Sequence, residues 1–448
     1  MGKHRLTFGE IWRFRAVERR AFFWCLVTLA CGYLAFFLSG GIDRRSDWLN
    51  LLPLVVFTLG LLLIHSTLLL GRFQADPGLV IPVAFLSGLG LLAQFRMGLF
   101  DFESPFKPSH FAYPIGIVAM LSIAVLFKNE RYLWLRHLRW LSGLGAIALV
   151  GALLATGSRF RGAVYASGNL TPTEIIKVFV VLFLAGQFAS LANTGGKKKH
   201  RPSELGIVVP TALLLGVLFA LLLWQRDLGM VAILGGLSLV VLFTATGRWS
   251  YVALSLVAGT VALGGAYQFF LHSQQRIKVW LNPFFDPTGA SWQLLQGLSG
   301  MFSGGLWGAG FGGGNPERIP IAASDFIYAV IGEELGFAGC VLVVFLVLAF
   351  LHRAFRAAQS TPHPYGALLI TGLATVIALQ TFLNIGGVTK TLPLTGIPLP
   401  FISHGGSSLI TMFICLGLII AIADDVPPQL EKAAKAGARK RGRRAPTD

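Results

Sequence analysis

Twelve long apolar runs, separated by short polar or basic segments, dominate this chain of 448 residues. Most of them approach the roughly 20 residues that an α-helix needs to cross the hydrocarbon core of a bilayer. The pattern therefore predicts an all-α polytopic membrane bundle of twelve transmembrane helices. The runs cover residues 21–40, 48–71, 78–95, 110–127, 139–156, 171–192, 204–224, 228–246, 251–271, 326–351, 364–388 and 405–423.

Basic residues at the ends of these runs predict their orientation. If the N-terminus is cytoplasmic, the even-numbered runs also exit to the cytoplasm, and the strongest Lys and Arg clusters lie at those exits. Arg44, Arg45, Arg159 and Arg161 follow odd-numbered runs and are exceptions. We therefore predict that both termini are cytoplasmic. The even exits read GRFQADP, KNERYLWLRHLR, NTGGKKKHRPS, TGRWS, HRAFRAAQS and KAAKAGARKRGRR.

Composition and charge support a membrane location. The chain is 54% hydrophobic and 13% charged, whereas a soluble domain carries about 25% charged residues. The Lys and Arg residues that give the chain its net charge of +17 lie mainly at the ends of the runs and in the tails. They therefore indicate membrane topology and not nucleic-acid binding. The four cysteines lie inside apolar runs without CxxC spacing, and we interpret them as packing residues. The first run is full length, which favours a retained helix over a signal peptide.

One connection, residues 272–325, is much longer than the others and is predicted to lie outside the membrane. It contains NPFFDPTGASWQLLQG, with Asp286 between two prolines and a glycine, and then the glycine-rich SGGLWGAGFGGGNPER. Long ordered loops are more often functional than idle. Asp286 is therefore either an Asp-Pro turn residue or a general base held at a cavity on the outer membrane surface.

Ionisable residues inside apolar runs are costly and mark candidate functional sites. In TPTEIIKVFVV, Glu174 and Lys177 share one helix face at i,i+3 spacing. Thr171, with Pro172 after it, has the features of a helix start. The pair is either a structural ion pair that orients the helix or part of an active site.

Two further charged pairs interrupt apolar runs. Arg226 and Asp227 divide residues 204–246 and could simply form an outer turn. Glu333 and Glu334 lie roughly 10 Å into the tenth helix at about 1.5 Å per residue, unless that helix begins late and the acids lie in the interface. Because adjacent helical residues point in different directions, at most one of these two acids should face a shared cavity.

Several familiar catalytic motifs are excluded. Residues 308–313, GAGFGG, match GxGxxG, but the chain lacks the strand and βαβ context of a dinucleotide site. The sequence contains no HExxH or other metal spacing, no Walker loop and no local Ser-His-Asp set. We therefore predict no metal site and no required cofactor, although a diphosphate substrate could bring in a divalent cation.

Several sequence blocks within residues 139–425 together resemble the SEDS family (shape, elongation, division and sporulation proteins of the RodA and FtsW type). TPTEIIK and QRDLG are similar to the family's QPSE-xx-K and QPDLG blocks. The more specific blocks, in the family's order, are NPFFDPTGASWQLLQG, GGLWGAGFGGG, IPIAASDFIYAVIGEELGFAG and NIGGVTKTLPLTGIPLPFISHGGSS.

The sequence departs from the family pattern at several positions while it retains the key charges. Thr171 and Thr173 replace Gln and Ser, Arg226 replaces Pro, and Trp292 and His404 stand where Tyr is common. GSRFRGAVYASG also replaces an Arg-Trp stretch. The family core usually has ten helices, so the resemblance divides the chain into an N-terminal addition (1–77), a core (78–425) and a basic tail (426–448). FQADPGLVIPVAFLSGLGLLAQFRM resembles longer RodA-type members and favours elongation over division.

The resemblance implies a peptidoglycan glycosyltransferase of the bacterial plasma membrane, which polymerises lipid II outside that membrane and releases the lipid diphosphate. The family's catalytic acid matches Asp286, which would take the proton of the acceptor hydroxyl. Glu174 and Asp227 would organise the cavity by charge pairing. The developing charge of the diphosphate would be met by cations, and the candidates are Arg159, Arg161, Lys177, Arg276 and Lys390. The matching blocks add Gln293, Glu333, Ser403 and Ser407 as substrate-binding candidates.

The same resemblance implies a class B penicillin-binding protein as partner, because this chain shows no set of residues for acyl transfer. A lipid II flippase is the alternative function, since intramembrane charges also mark transport paths. The absence of an evident inverted repeat in the sequence weighs modestly against it. A membrane scaffold explains the charged residues poorly. No nucleic-acid partner is indicated.

Overall fold

The computed structural model describes residues 7–38, 51–99, 111–160, 163–165, 173–192 and 203–425. Most of these residues are helical, as the apolar pattern predicts. The helices are α1 (Phe8–Phe14), α2 (Ala16–Leu38), α3 (Leu52–Leu70), α4 (Ile81–Arg96), α5 (Ala112–Leu126), α6 (Arg139–Thr156), α7 (Thr173–Phe188), α8 (Glu204–Gln225), α9 (Leu228–Thr246), α10 (Trp249–Phe269), α11 (Leu271–Leu281), α12 (Trp292–Gly304), α13 (Ile327–Ser360), α14 (Pro364–Val388) and α15 (Gly406–Ala423). Short 3-10 helices occupy Pro77–Leu79, Arg131–Leu138, Pro283–Phe285 and Pro316–Arg318.

Each of the twelve predicted apolar runs coincides with a helix, α2 to α10 and α13 to α15. Within the described residues, nine helical segments are long and apolar enough to cross a membrane. The shorter apolar helices are Ala112–Leu126 and Trp249–Ala262, and α7 has only 16 residues. The helical membrane architecture is thus confirmed, while the count of twelve spans and the cytoplasmic termini stay predictions.

A small hairpin departs from the all-α prediction. Strand β1 (Ser158–Phe160) pairs antiparallel with β2 (Ala163–Tyr165), in the register Ser158 to Tyr165. The pair follows α6 directly, in the segment that contains the predicted cation Arg159. Three-residue strands are too short to show alternation of polar and apolar positions, so the sequence pattern gave no sign of them.

The centre of the bundle is formed by α14 and α15. Over their most apolar stretches these two helices are 72% and 83% buried, and the segment Pro77–Arg96, which contains α4, is 78% buried, against 17% for α8. Helix α15 packs against α5, α7, α13 and α14, and α7 packs against α6, α9 and α14. Leu213 and Trp224 of α8 and Phe345 of α13 are exposed, as expected of side chains that face lipid. Residues on α4, α7, α14 and α15 are therefore well shielded from lipid and water.

The long outer connection differs from the predicted loop, because it contains two helices, α11 and α12. Both were missed because they are too short, and α11 is too polar, to look like a membrane span. Helix α12 packs against α13. A Cβ on Gly304 would collide with the carbonyl oxygen of Gly332. The glycine therefore permits a close approach of backbone to backbone near the N-terminal end of α13.

Helix α13 is broken at Gly336, whose φ is +67° and ψ is −167°. Glu333 and Glu334 lie in the helix before this break, because α13 begins at Ile327 and not later. In a regular helix their carbonyls would accept from Phe337 and Ala338. Here the glycine-rich segment, residues 304–314, replaces those bonds. The four substituting hydrogen bonds are Ala309 N to Glu333 O (2.9 Å), Gly310 N to Glu334 O (3.1 Å), Phe337 N to Gly305 O (2.9 Å) and Ala338 N to Leu306 O (3.1 Å).

Candidate active site

Among the candidate cations whose side chains the structure describes, Lys177 is the most completely buried, with 1% of its surface exposed. Its Nζ donates to Glu174 Oε2 at 2.7 Å on the same face of α7, as the i,i+3 spacing predicts. It also donates to Gln380 Oε1 of α14 at 2.6 Å. Glu174 lies in the first turn of α7, where a negative charge is favoured by the helix dipole. The charge of Lys177 is therefore compensated inside the bundle.

Gln380 was not among the predicted site residues, yet it joins three parts of the chain. It is fully buried, and its Nε2 donates to Pro398 O at 3.0 Å and to Ser408 Oγ at 3.1 Å. The amide thus links Lys177 to the segment after α14 and to the start of α15. Its only sequence signal was a polar residue inside the apolar run 364–388.

Asp227 is both a turn residue and a member of the charged site, the two roles considered for it. It is the N-cap of α9, and its Oδ1 accepts from Met230 N at 2.9 Å. Burial raises the pKa of Asp227, while the positive charges of Lys177 and Arg276 lower it and Glu174 raises it. The turn residue is therefore also electrostatically connected to the buried pair on α7. Arg226 ends α8 with φ at +65° and is exposed.

Arg276 of α11 is anchored to the segment between α14 and α15. Its Nη1 donates to Leu394 O at 2.9 Å and to Thr395 O at 3.0 Å. Trp280 Nε1, on the same helix, donates to Lys390 O at 3.1 Å. These contacts hold α11 beside Asp227, so Arg276 has a structural role in addition to its electrostatic one. Lys390 is half-buried, with φ at +59°.

Asp286 is half-buried and accepts hydrogen bonds from its own loop. Its Oδ1 accepts from Gly289 N at 3.0 Å and its Oδ2 from Ala290 N at 2.8 Å. A Cβ on Gly289 would collide with this carboxylate. The geometry is that of a turn residue, and it also presents a fixed, partly exposed carboxylate. Phe284 and Phe285 beside it are 74% and 72% exposed.

The two acids before the break in α13 have different partners, as expected for adjacent helical residues. Glu333 Oε1 accepts from Asn315 N at 3.0 Å. Glu334, with 2% of its surface exposed, lies 3.0 Å from Arg96 Nε. Sequence reasoning missed Arg96 because it looks like an ordinary basic residue at the end of an apolar run.

Among the serine and glutamine candidates, Ser403 has hydrogen bonds that hold the backbone. Ser403 Oγ donates to Ser324 O at 2.6 Å and accepts from Leu399 N at 2.7 Å. Ser407 is buried at the start of α15, and Gln293 is half-buried in the first turn of α12. Ser403 therefore fixes the backbone of the segment that Gln380 also holds.

The structure brings together Glu174, Lys177 and Asp227, with Arg276 within electrostatic range of Asp227. The described hydrogen bonds of Asp286 lie within its own loop. Arg161, the Thr171–Pro172 cap and the tail 426–448 lie outside the described residues, as do Arg44 and Arg45. Of Arg159 the structure describes only the backbone.

Among the residues that the structure describes, no group of three His, Cys, Asp or Glu side chains could hold a metal ion. The acids of the site are instead bonded to Lys177, to Arg96 or to backbone amides. The chemistry that these residues can support directly is proton transfer and the binding of an anionic, hydrogen-bonding substrate.

Comparison with known proteins places this chain in one family. The model of the FTSW_RODA_SPOVE cell cycle protein family matches residues 77–426. A Mycobacterium tuberculosis protein, "Peptidoglycan glycosyltransferase RodA", is 33% identical over 371 residues, 78% of each chain. A Geobacter metallireducens protein, "Probable peptidoglycan glycosyltransferase FtsW", is 35% identical over 326 residues, 69% of this chain and 83% of the other.

A solved structure has the same fold. It is described as "Structural coordination of polymerization and crosslinking by a peptidoglycan synthase complex". It is 26% identical to this chain with a TM-score of 0.64, over 79% of this chain and 98% of the other. The match of the family model covers more than half of the sequence and includes every block that carried the resemblance. The chain therefore belongs to the FtsW, RodA and SpoVE family of cell cycle proteins.

Proposed function

We propose that this protein is a peptidoglycan glycosyltransferase that polymerises lipid II at the outer face of the bacterial plasma membrane. The observation that carries the proposal is the 33% identity, over 78% of both chains, with a relative named for that activity. The site geometry is compatible with it. A buried cation network lies near the outer ends of α7 and α9, and a fixed carboxylate lies in the connection between α11 and α12.

In this proposal Asp286 is the general base. A sugar hydroxyl attacks poorly until its proton is removed, and a carboxylate within hydrogen-bond reach of that proton can remove it. The amides of Gly289 and Ala290 hold both carboxylate oxygens, so less orientational freedom is lost when substrate binds. The partial exposure of Asp286 leaves it open to an acceptor that approaches along the membrane surface.

Lys177, Glu174 and Asp227 would bind the donor lipid II, the molecule whose diphosphate leaves. An ammonium group has three N–H donors, and Glu174 and Gln380 accept from two of them. The third would be directed at an oxygen of the leaving diphosphate, whose charge grows as the glycosidic bond forms. Arg159, Arg161, Arg276 and Lys390 are further candidates for this anion, and Gln293, Glu333, Ser403 and Ser407 for the sugars and the peptide.

The topology belongs to the same proposal. Twelve spans with both termini in the cytoplasm place Asp286 and the segment between α14 and α15 outside the membrane. Residues 1–77 form an N-terminal addition, 78–425 the polymerase core and 426–448 a basic tail. The positions of Lys and Arg at the even exits support this orientation.

A class B penicillin-binding protein, a transpeptidase, is the proposed partner, and elongation is the proposed growth stage. The similarity to a chain from a peptidoglycan synthase complex that couples polymerization and crosslinking supports a partnered enzyme. Similarity to a relative named RodA over 78% of this chain, against 69% for one named FtsW, supports elongation.

The experiment incubates the detergent-purified full chain with lipid II, alone and with the partner transpeptidase, and separates the products by size. We expect glycan ladders whose length increases with time. If neither preparation makes a ladder, the enzyme proposal is wrong. The flippase alternative, which the buried charges of α7 favour, would then be supported by lipid II scrambling in proteoliposomes that Glu174 or Asp227 substitutions abolish and Asp286→Asn does not.

A further inference from the structure

Arg96, the last residue of α4, contacts three parts of the outer face. Its Nε lies 3.0 Å from Glu334 Oε1 on α13. Its Nη2 donates to Gly314 O at 2.9 Å, and its Nη1 lies 3.4 Å from Glu317 Oε1. The side chain is 12% exposed. One guanidinium therefore joins the first helix of the family-matched region, the glycine-rich segment and the broken helix.

Of these contacts, the ion pair with Glu334 contributes most to the stability of this region. Glu334 is 2% exposed, whereas Glu317 is 69% exposed. An exposed ion pair contributes little to stability, but a buried carboxylate that loses its cation is strongly penalised. Arginine suits this place because its planar fork can bind a carboxylate and a carbonyl at the same time.

The glycine-rich segment is thus held in its middle and at its end. In its middle, the amides of Ala309 and Gly310 donate to the carbonyls of Glu333 and Glu334 across the break in α13. At its end, Gly314 O accepts from Arg96, and Asn315 N, the next residue, donates to Glu333 Oε1. A Cβ on Gly314 would come within 3.1 Å of both glutamate side chains, so the backbone lies directly on them.

Helix α4 also holds the segment before α15. Gln94 Nε2 donates to Ile402 O at 2.8 Å, and Gln94 Oε1 lies 3.1 Å from His404 Nδ1. Gln94 and Arg96 are neighbours at the same helix end. The outer end of α4 is therefore the point at which the two glycine-containing segments of the outer face are connected.

We propose that Arg96 is a positioning residue for polymerisation. Its ion pair with Glu334 holds residues 304–314 against the break in α13, and thereby fixes α12 and the Asp286 loop that precedes it. In this proposal Arg96 acts on the reaction through Glu334 and the glycine-rich segment, and not through a contact with the substrate. The inference rests on the proposed function for its kinetic consequence, but its structural part is measured independently of activity.

The test uses hydrogen–deuterium exchange on the purified full chain together with polymerisation kinetics. Arg96→Gln should speed exchange of the amides in residues 305–310 by about tenfold, because their bonded state opens more often. It should lower kcat by about 10- to 100-fold, the cost of a small misplacement, with little change in KM. Arg96→Lys should retain part of both properties. Arg96→Glu combined with Glu334→Arg should restore the protection that Arg96→Glu alone removes.

Arg353→Gln is the matched control, because it breaks a 2.9 Å ion pair with Asp76 away from this segment. It should leave exchange in residues 305–310 and kcat unchanged. If Arg96→Gln leaves exchange unchanged, or if exchange rises while kcat stays at the wild-type value, the positioning role is wrong. If the wild type makes no polymer, the proposed function fails, while the exchange data still decide whether the ion pair holds the segment.

Discussion

At the scale of single residues, the buried network around Lys177 depends on matched charge. Lys177 and Glu174 are 1% and 8% exposed, and their contact is 2.7 Å. Gln380 satisfies a second donor of the ammonium. A charge that is buried without its partner is much less stable than the pair or than two neutral residues. The stability of the protein should therefore depend on the pairing of the Lys177 and Glu174 charges and not on Lys177 alone.

Lys177→Met should leave Glu174 unpaired and destabilise the protein by about 3–5 kcal/mol. The double variant Lys177→Met with Glu174→Gln should recover much of that loss, because no buried charge remains. Thermal unfolding in detergent, followed by tryptophan fluorescence, measures both variants. Equal destabilisation of the single and the double variant would contradict the pairing. Neither variant should make polymer if Lys177 binds the diphosphate.

Asp227 predicts a pH dependence of stability. Burial raises its folded pKa above the ordinary value of 3.8, so the folded state favours the protonated form. Its contribution to stability is then fully present below the unfolded pKa and is lost as pH rises through the folded pKa. Asp227→Asn removes the titration and keeps an N-cap. Its melting temperature relative to wild type should therefore rise with pH from about pH 4 upward, and a flat or falling difference would contradict this.

Sequence reasoning found the charged residues of the site more readily than their partners. Glu174, Lys177 and Asp227 were visible because a charge in an apolar run is costly. Gln380 and Arg96 were not, because an amide in a long helix and an arginine at a helix end are both common. Their importance comes from contacts across 203 and 238 residues of sequence, respectively, which one sequence does not show.

At the scale of elements, the break in α13 determines how the glycine-rich segment packs on that helix. Apolar length predicted the helix, but the break follows from a single glycine with positive φ and from bonds to a distant segment. Hydrophobic periodicity contains no information about either. Helices α11 and α12 were predicted as loop because they are too short, and α11 is too polar, to look like membrane spans. Local pattern thus predicts the membrane helices, and tertiary contacts decide how the outer segments fold on them.

Gly336→Ala tests this element directly. With φ at +67° and ψ at −167°, Gly336 has a backbone conformation that essentially only glycine adopts, which costs a residue with a Cβ about 1–3 kcal/mol, and the new Cβ would collide with Gly308 N. We expect lower thermal stability and faster exchange in residues 305–310. Gly216→Ala, in α8, has nothing within 4 Å of its new Cβ and should be neutral or slightly stabilising. Equal behaviour of the two variants would contradict the proposed role of the break.

At the scale of the whole molecule, a buried charge network holds the helices before residue 77 to one another, and these helices pack on the family core. Glu18 is fully buried and pairs with Arg15 and with His65, whose Nδ1 lies 2.6 Å from it. Arg15 Nη2 also donates to Phe73 O at 3.0 Å. Helices α2 and α3 pack against α4, the helix that carries Arg96. The addition therefore supports the helix from which the outer segments are held.

The central claim is that a carboxylate fixed in an outer loop of this helical bundle makes glycan strands. The most direct measurement compares lipid II polymerisation by wild type, Asp286→Asn and the control Glu204→Gln, an acid paired with Arg248 at 2.8 Å outside the site. Asp286→Asn should fold and insert as wild type does, yet lose polymerisation, while Glu204→Gln retains it. Ladders of normal length and rate from Asp286→Asn would contradict the claim and leave Asp286 as a turn residue.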